Sequence, residues 1–105
     1  MQIKLCIHIY MPNYEITEHS YKKAEELNVE LRPAENKHKK IGIWKDGNHI
    51  CDIGAKNYLD FPTLLRMEQE GDLPSGEAHN KRRQYKIRHK YDRGDVGFWT
   101  NKILW

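Results

Sequence analysis

Three groups of residues in this 105-residue chain have the types and spacing to do chemistry. The first is the run from 81 to 93, Lys-Arg-Arg-Gln-Tyr-Lys-Ile-Arg-His-Lys-Tyr-Asp-Arg, with seven cationic side chains against one carboxylate. Concentrated positive charge beside tyrosines suits a phosphate backbone, where each cation releases a counterion and each ring stacks on a base. Lys81, Arg82, Arg83, Lys86, Arg88, His89 and Lys90 are the candidate phosphate partners, with Tyr85 or Tyr91 stacking. The carboxylates of an acidic protein surface would satisfy the same cations, and a solvated helix face has the same composition. The second group is His89 with Asp92 and Asp95. Together they supply a base and metal-holding carboxylates beside a phosphate clamp, the ingredients of a small metal-dependent nuclease, though at no established spacing. The third is Cys6-x-His8 and His49-x-Cys51, each pair on one face of a strand because side chains there repeat every two residues. Two such strands side by side would form a Cys₂His₂ zinc site. Structural zinc is more often held from turns at C-x₂-C spacing, so the expectation is that no metal is bound.

The charge is unevenly spread. The chain carries a net +3, from 18 Lys and Arg against 15 Asp and Glu, while residues 81 to 93 alone carry +6 and leave the remainder at −3. A smaller basic run is Lys37-His38-Lys39-Lys40. With 38% hydrophobic and 31% charged residues and a mean hydropathy of −0.92, the core must be small, but two Phe, three Trp and six Tyr still need burial. No apolar run approaches the roughly 20 residues of a membrane span, and the first residues alternate where a signal peptide is continuously apolar. An intracellular protein with no membrane partner and two reduced cysteines is expected. No HNH, P-loop, Gly-x-Ser-x-Gly or dinucleotide fingerprint is present, and no cofactor is expected. Arg93-Gly94-Asp95 spells an adhesion tripeptide but reads as a helix-ending loop.

The elements that must position these groups follow from periodicity. Residues 2–10 alternate as a half-buried strand, and Thr17 to Asn28 reads as a polar helix with Tyr21, Ala24 and Leu27 inward. Val29 and Leu31 suggest a short extended segment, and Pro33 to Lys39 a loop or linker. Asp46-Gly47 between alternating segments predicts a two-residue hairpin over about 40–53. Its register pairs Lys45 with Asn48, Trp44 with His49, Ile43 with Ile50 and Gly42 with Cys51. Asp60 then caps a helix with Pro62 in its first turn, Leu64 and Leu65 inward, and Gly71 at its end. A longer helix spans Glu77 to Tyr91, with Tyr85 inward and Ile87 and Tyr91 as an i,i+4 pair. Residues 97–105 form an aromatic tail expected to fold back on the hairpin, with Trp105 free to insert into a neighbouring molecule. The fold class is α+β: a small antiparallel sheet covered by two or three helices, in one domain over 1–105. Within it, 1–36 is a strand-helix extension and 38–105 the main body.

Gly54-Ala55-Lys56-Asn57-Tyr58-Leu59-Asp60, Arg83-Gln84-Tyr85-Lys86-Ile87-Arg88-His89-Lys90 and Gly97-Phe98-Trp99-Thr100-Asn101-Lys102-Ile103-Leu104-Trp105, in this order, resemble a family of small uncharacterised proteins of bacteriophages and large DNA viruses of protists. The likeness covers roughly residues 38–105. Members carry a Glu-Asn-Trp-like segment after the basic helix, where this chain has Tyr91 to Asp95. The resemblance implies a viral origin and placement in a virion or host cytoplasm. The role expected first is a non-enzymatic virion component whose basic helix binds nucleic acid or an acidic viral structural protein. A small nuclease centred on His89, and an inhibitor bound to a host defence protein, are the alternatives.

Overall fold

A computed structural model describes residues 14–105; the strand expected over 2–10, with Cys6 and His8, lies outside the described residues. The Asp46-Gly47 turn organises the sheet. Both residues have positive φ, 51° and 80°, the geometry of a two-residue turn whose twist matches the flanking strands. It joins β2 (Lys39–Lys45) to β3 (Asn48–Ala55), and β1 (Glu30–Pro33) pairs with the other edge of β2 to complete an antiparallel β1-β2-β3 sheet. Next to the turn the register is as expected, Lys45 opposite Asn48 and Trp44 opposite His49. Beyond it Ile50 is an additional residue, a β-bulge, so Ile43 faces Cys51, Gly42 faces Asp52 and Ile41 faces Ile53. This corrects the expected Ile43–Ile50 and Gly42–Cys51 pairs. Ile50 and Ile53 are three residues apart and would point to opposite faces of a regular strand. The bulge lets Ile53 join Ile41 and Ile43 in the core, all three without exposed surface, while Ile50 is half-buried at its edge.

Helix α1 (Glu18–Leu27) starts where the Thr17 side chain accepts a hydrogen bond from the Ser20 amide, and it stops at Asn28, which is left-handed at φ 59°. Its inward stripe is Ser20 and Ala24, with Leu27 half-buried. Tyr21, expected inward, is 51% exposed, because one residue past Ser20 turns it about 100° away from the sheet. Helix α2 (Phe61–Gln69) begins as predicted: Asp60 accepts from the Thr63 amide at 2.9 Å, Pro62 occupies the first turn, and Phe61 and Leu64 are buried. Helix α3 (Glu77–Arg88) has Gly76 at its N-cap, so the cap comes from α2, where Glu68 Oε1 accepts from the Ala78 amide at 2.9 Å. That bond, with one from Gly76, holds the Glu68 carboxyl below the usual range.

At the C-terminal end one expectation fails and another holds: the tail does fold back on the hairpin, against β3. Helix α3 closes at His89, short of Tyr91, and Ile87 and Tyr91 are 57% and 77% exposed, so the apolar pair that was to extend it does not form. The tail is itself a helix, α4 (Asp95–Leu104), packed on β3 and α1, with Ile103, Leu104 and Trp105 buried and Phe98 left exposed. Carbonyls in the last turn of a helix lack internal partners. Here Asn101, Ile103 and Trp105 receive hydrogen bonds from Lys86 Nζ (3.3 Å), Ser20 Oγ (2.9 Å) and Arg82 Nε (2.7 Å). The two cations also suit the negative end of the helix dipole. The core draws on every described element, Ala24 and Leu31 included, so residues before Pro33 share it. The fold is α+β: three antiparallel strands and four helices among the described residues, none of the helices long and apolar enough to cross a membrane.

Candidate nucleic-acid interface

Helix α3 sorts the basic run by its 3.6-residue period. Ala78, Arg82, Tyr85, Lys86 and His89 fall on the side facing the fold, and Lys81, Arg83, Arg88 and Lys90 are exposed. Arg82 and Lys86 are therefore committed inward. Arg82 also lies 5.0 Å over the Phe61 ring, and Lys86 Nζ donates to Asn101 Oδ1 at 2.6 Å. Burial, then the neighbouring charges of Arg82, Lys23 and Lys102, lowers the Lys86 pKa. Two of the expected phosphate partners thus hold α4 in place. Of the rest, Lys81 forms a 3.5 Å pair with Glu77, Arg83 donates to Asn80, and Lys90 sits 5.1 Å over the exposed Tyr91 ring. Arg88 makes no ion pair among the described residues.

Beside α3 lies a cleft of about 530 Å³ between α2, α3, α4 and the end of β3. Its floor is Leu64, Leu104, Gly54 and Ala55, and Tyr58 and Thr100 flank it. One wall is aromatic: Tyr85 is stacked at 4.2 Å on Trp105, nearly parallel at 5°, and at 4.2 Å on His89, so both its faces are taken within the chain and it is not free to stack on a base as expected. Burial, and then the charge of Asp92, raises the Tyr85 pKa, so the ring stays neutral. Lys81 and Arg88 bring positive charge to the same cleft. Lys40 and Asp60 also line it, as an ion pair of 2.8 Å with both side chains 1% exposed. Lys40 Nζ additionally donates to the Tyr58 carbonyl at 2.6 Å. Gly54 is required at the floor: its φ is 77°, and a Cβ would come within 2.6 Å of Leu104 Cδ1.

Trp105, expected to reach a neighbouring molecule, is 8% exposed and held in its own chain by Tyr85 and Arg82. The zinc pattern is also undone among the described residues. The bulge sets His49 opposite Trp44 and Cys51 opposite Ile43, which are successive residues of β2 and so face opposite sides of the sheet. His49 Nε2 instead meets Asp52 at 2.8 Å, and burial pushes the Cys51 thiol pKa up, away from the thiolate a metal needs. Of the nuclease candidates, His89 Nδ1 and Asp92 Oδ2 meet at 2.6 Å, with His89 on the cleft wall. No group of three or more His, Cys, Asp or Glu placed to hold a metal occurs among the described residues, so Asp95 does not complete a cluster with them.

Lys40, Asp60, Tyr58 and Gly54 went unrecognised as site residues in the sequence. Asp60 showed only its capping signal; the clue for Lys40 was a lysine inside the strand, next to Ile41 and on the same face as Gly42 and Trp44. No family model, no curated protein and no solved structure matches this chain.

Proposed function

We propose that this protein is a non-enzymatic nucleic-acid-binding protein that uses the exposed face of α3 and the cleft beside it. The observation that carries the reading is the juxtaposition of Lys81 and Arg88 with the Tyr85–His89–Trp105 stack around one cleft. Cations that track a phosphate backbone, beside an aromatic stack whose outermost ring, His89, is 35% exposed to meet a base, are the two parts of a single-strand binding surface. Arg83 and Lys90 extend the positive face into solvent. The viral resemblance makes a viral genome the expected nucleic acid, and a virion or host cytoplasm the expected place.

The test is a titration of labelled single- and double-stranded DNA and RNA at two salt concentrations, with Arg83, Arg88 and Lys90 replaced together by Gln. Arg82 and Lys86 are left intact because they hold α4. The triple variant is expected to bind more weakly and to lose up to about three units of salt slope on duplex DNA, about 0.9 for each phosphate contact removed. Unchanged affinity and slope would remove the reading and turn the search to an acidic viral structural protein or a host defence protein.

One observation favours a nuclease as the second reading: the His89–Asp92 pair orients an imidazole on the cleft wall, as a general base requires. Strand scission in the same mixtures, with or without Mg²⁺, that His89→Ala abolishes while the fold survives would establish it.

A further inference from the structure

We infer that the cleft is a single-base site, receiving one unpaired nucleobase with its phosphate against Lys81 and Arg88; the inference rests on the nucleic-acid reading and names its ligand. Two features select that chemistry. The volume, about 530 Å³, falls in the range of roughly 300–1,000 Å³ for sites that enclose a small ligand. The apolar floor and the edge of the Tyr85 stack, with His89 as its outermost ring, suit a flat ring, and Lys81 and Arg88 suit a phosphate attached to it.

The Lys40–Asp60 pair lines the same cleft, but with both side chains 1% exposed and Lys40 held by Asp60 and the Tyr58 carbonyl it is a satisfied part of the wall and takes no part in reading the ligand. A base paired in a duplex is stacked between its neighbours and cannot enter a cleft that takes one ring, so the site discriminates in favour of unpaired nucleotides. The same chemistry belongs to a nucleotide within a strand and to a free mononucleotide.

The experiment uses the full chain and a short single-stranded DNA carrying one 2-aminopurine, whose fluorescence falls when it stacks. Mononucleotides, ribose 5-phosphate and inorganic phosphate serve as competitors. Ala55→Leu and, separately, Thr100→Leu fill the cleft from two sides, and each variant's fold is checked by circular dichroism. Quenching by the wild type, displaced by mononucleotide but at least about tenfold less well by ribose 5-phosphate, with either folded filler abolishing the quench while the strand still binds, is the expected result. If the strand binds but folded fillers leave the quench intact, or ribose 5-phosphate competes as well as mononucleotide, the inference is overturned while the nucleic-acid reading stands. Mononucleotide bound in the cleft without any strand binding would identify the free nucleotide as the ligand and overturn the nucleic-acid reading alone. Binding of neither overturns both.

Discussion

Replacing Lys40 by Met removes a charge from a place where its partner has no access to water. The methionine keeps most of the lysine stem, but the Tyr58 carbonyl loses its ammonium donor, and Asp60 keeps only the Thr63 amide and the neighbouring Tyr14 hydroxyl. Breaking a buried ion pair from one side costs about 3–5 kcal/mol, against less than about 1 kcal/mol for an exposed pair. Both side chains here are 1% exposed, so the larger figure applies. A domain of this size is stable by only about 5–15 kcal/mol, so Lys40→Met is expected to lose a large share of its stability and to melt on the order of 20 °C lower. Asp60→Asn keeps a capping side chain for α2 and strands the ammonium instead, with a similar cost. In the double variant neither charge remains, and its loss should fall well below the sum of the two. Urea unfolding of the four proteins, followed by far-ultraviolet circular dichroism, closes the cycle. Single losses below about 1 kcal/mol, or additive ones, would refute the description of the pair as buried and mutually dependent.

Three further outcomes are expected. Gly54→Ala forces a Cβ against Leu104 at a left-handed φ and should cost on the order of 2–4 kcal/mol in the same denaturation assay, with the cleft probe's signal lost as its floor moves. Arg82→Gln loses the charged hydrogen bond to the Trp105 carbonyl and should destabilise by about 1.5–3 kcal/mol, while Arg83→Gln, exposed, should stay within about 0.5 kcal/mol; equal effects would contradict the division of the basic run. His19 packs edge-on against Phe61, and its Nε2 is buried with no hydrogen-bond partner. Burial, then Lys23 and Arg82, lowers its pKa from 6.5, so the unfolded chain takes up the proton first. The His19 contribution is therefore complete above about pH 6.5 and is lost as the pH falls through the lower, folded value. Unfolding curves between pH 7.5 and 5 should show a smaller loss for His19→Phe than for the wild type.

What could be read in advance was whatever a short stretch of chain decides for itself. Asp46-Gly47 specifies its turn, and Thr17, Asn28 and Asp60 mark helix ends, because each acts through backbone groups within three or four residues. The register past Ile50 was not legible, since only the core, supplied by other elements, decides that Ile53 outranks Ile50 for burial. Residues 97–105 carry too many aromatics for helix propensity to stand out, and α4 forms because Ser20, Arg82 and Lys86 cap its last carbonyls from two other helices. The cleft was illegible for the same reason. Its lining comes from two strands, three helices and the loop before α2, and only Tyr85, Arg88 and their neighbours on α3 carried a local signal.

The hydrogen bond from Ser20 to the Ile103 carbonyl joins residues 83 positions apart. Closing so long a loop costs chain entropy before any contact repays it, whereas the hairpin closes across two residues. Folding should therefore begin at Asp46-Gly47 and finish with the docking of α1 against α4. Because Thr100, Leu104 and Trp105 line the cleft, it is completed in that last step, and a partly folded chain displays the basic helix without the aromatic site beside it. Amide exchange should accordingly find the earliest protection in β2 and β3 and the latest in α1 and α4.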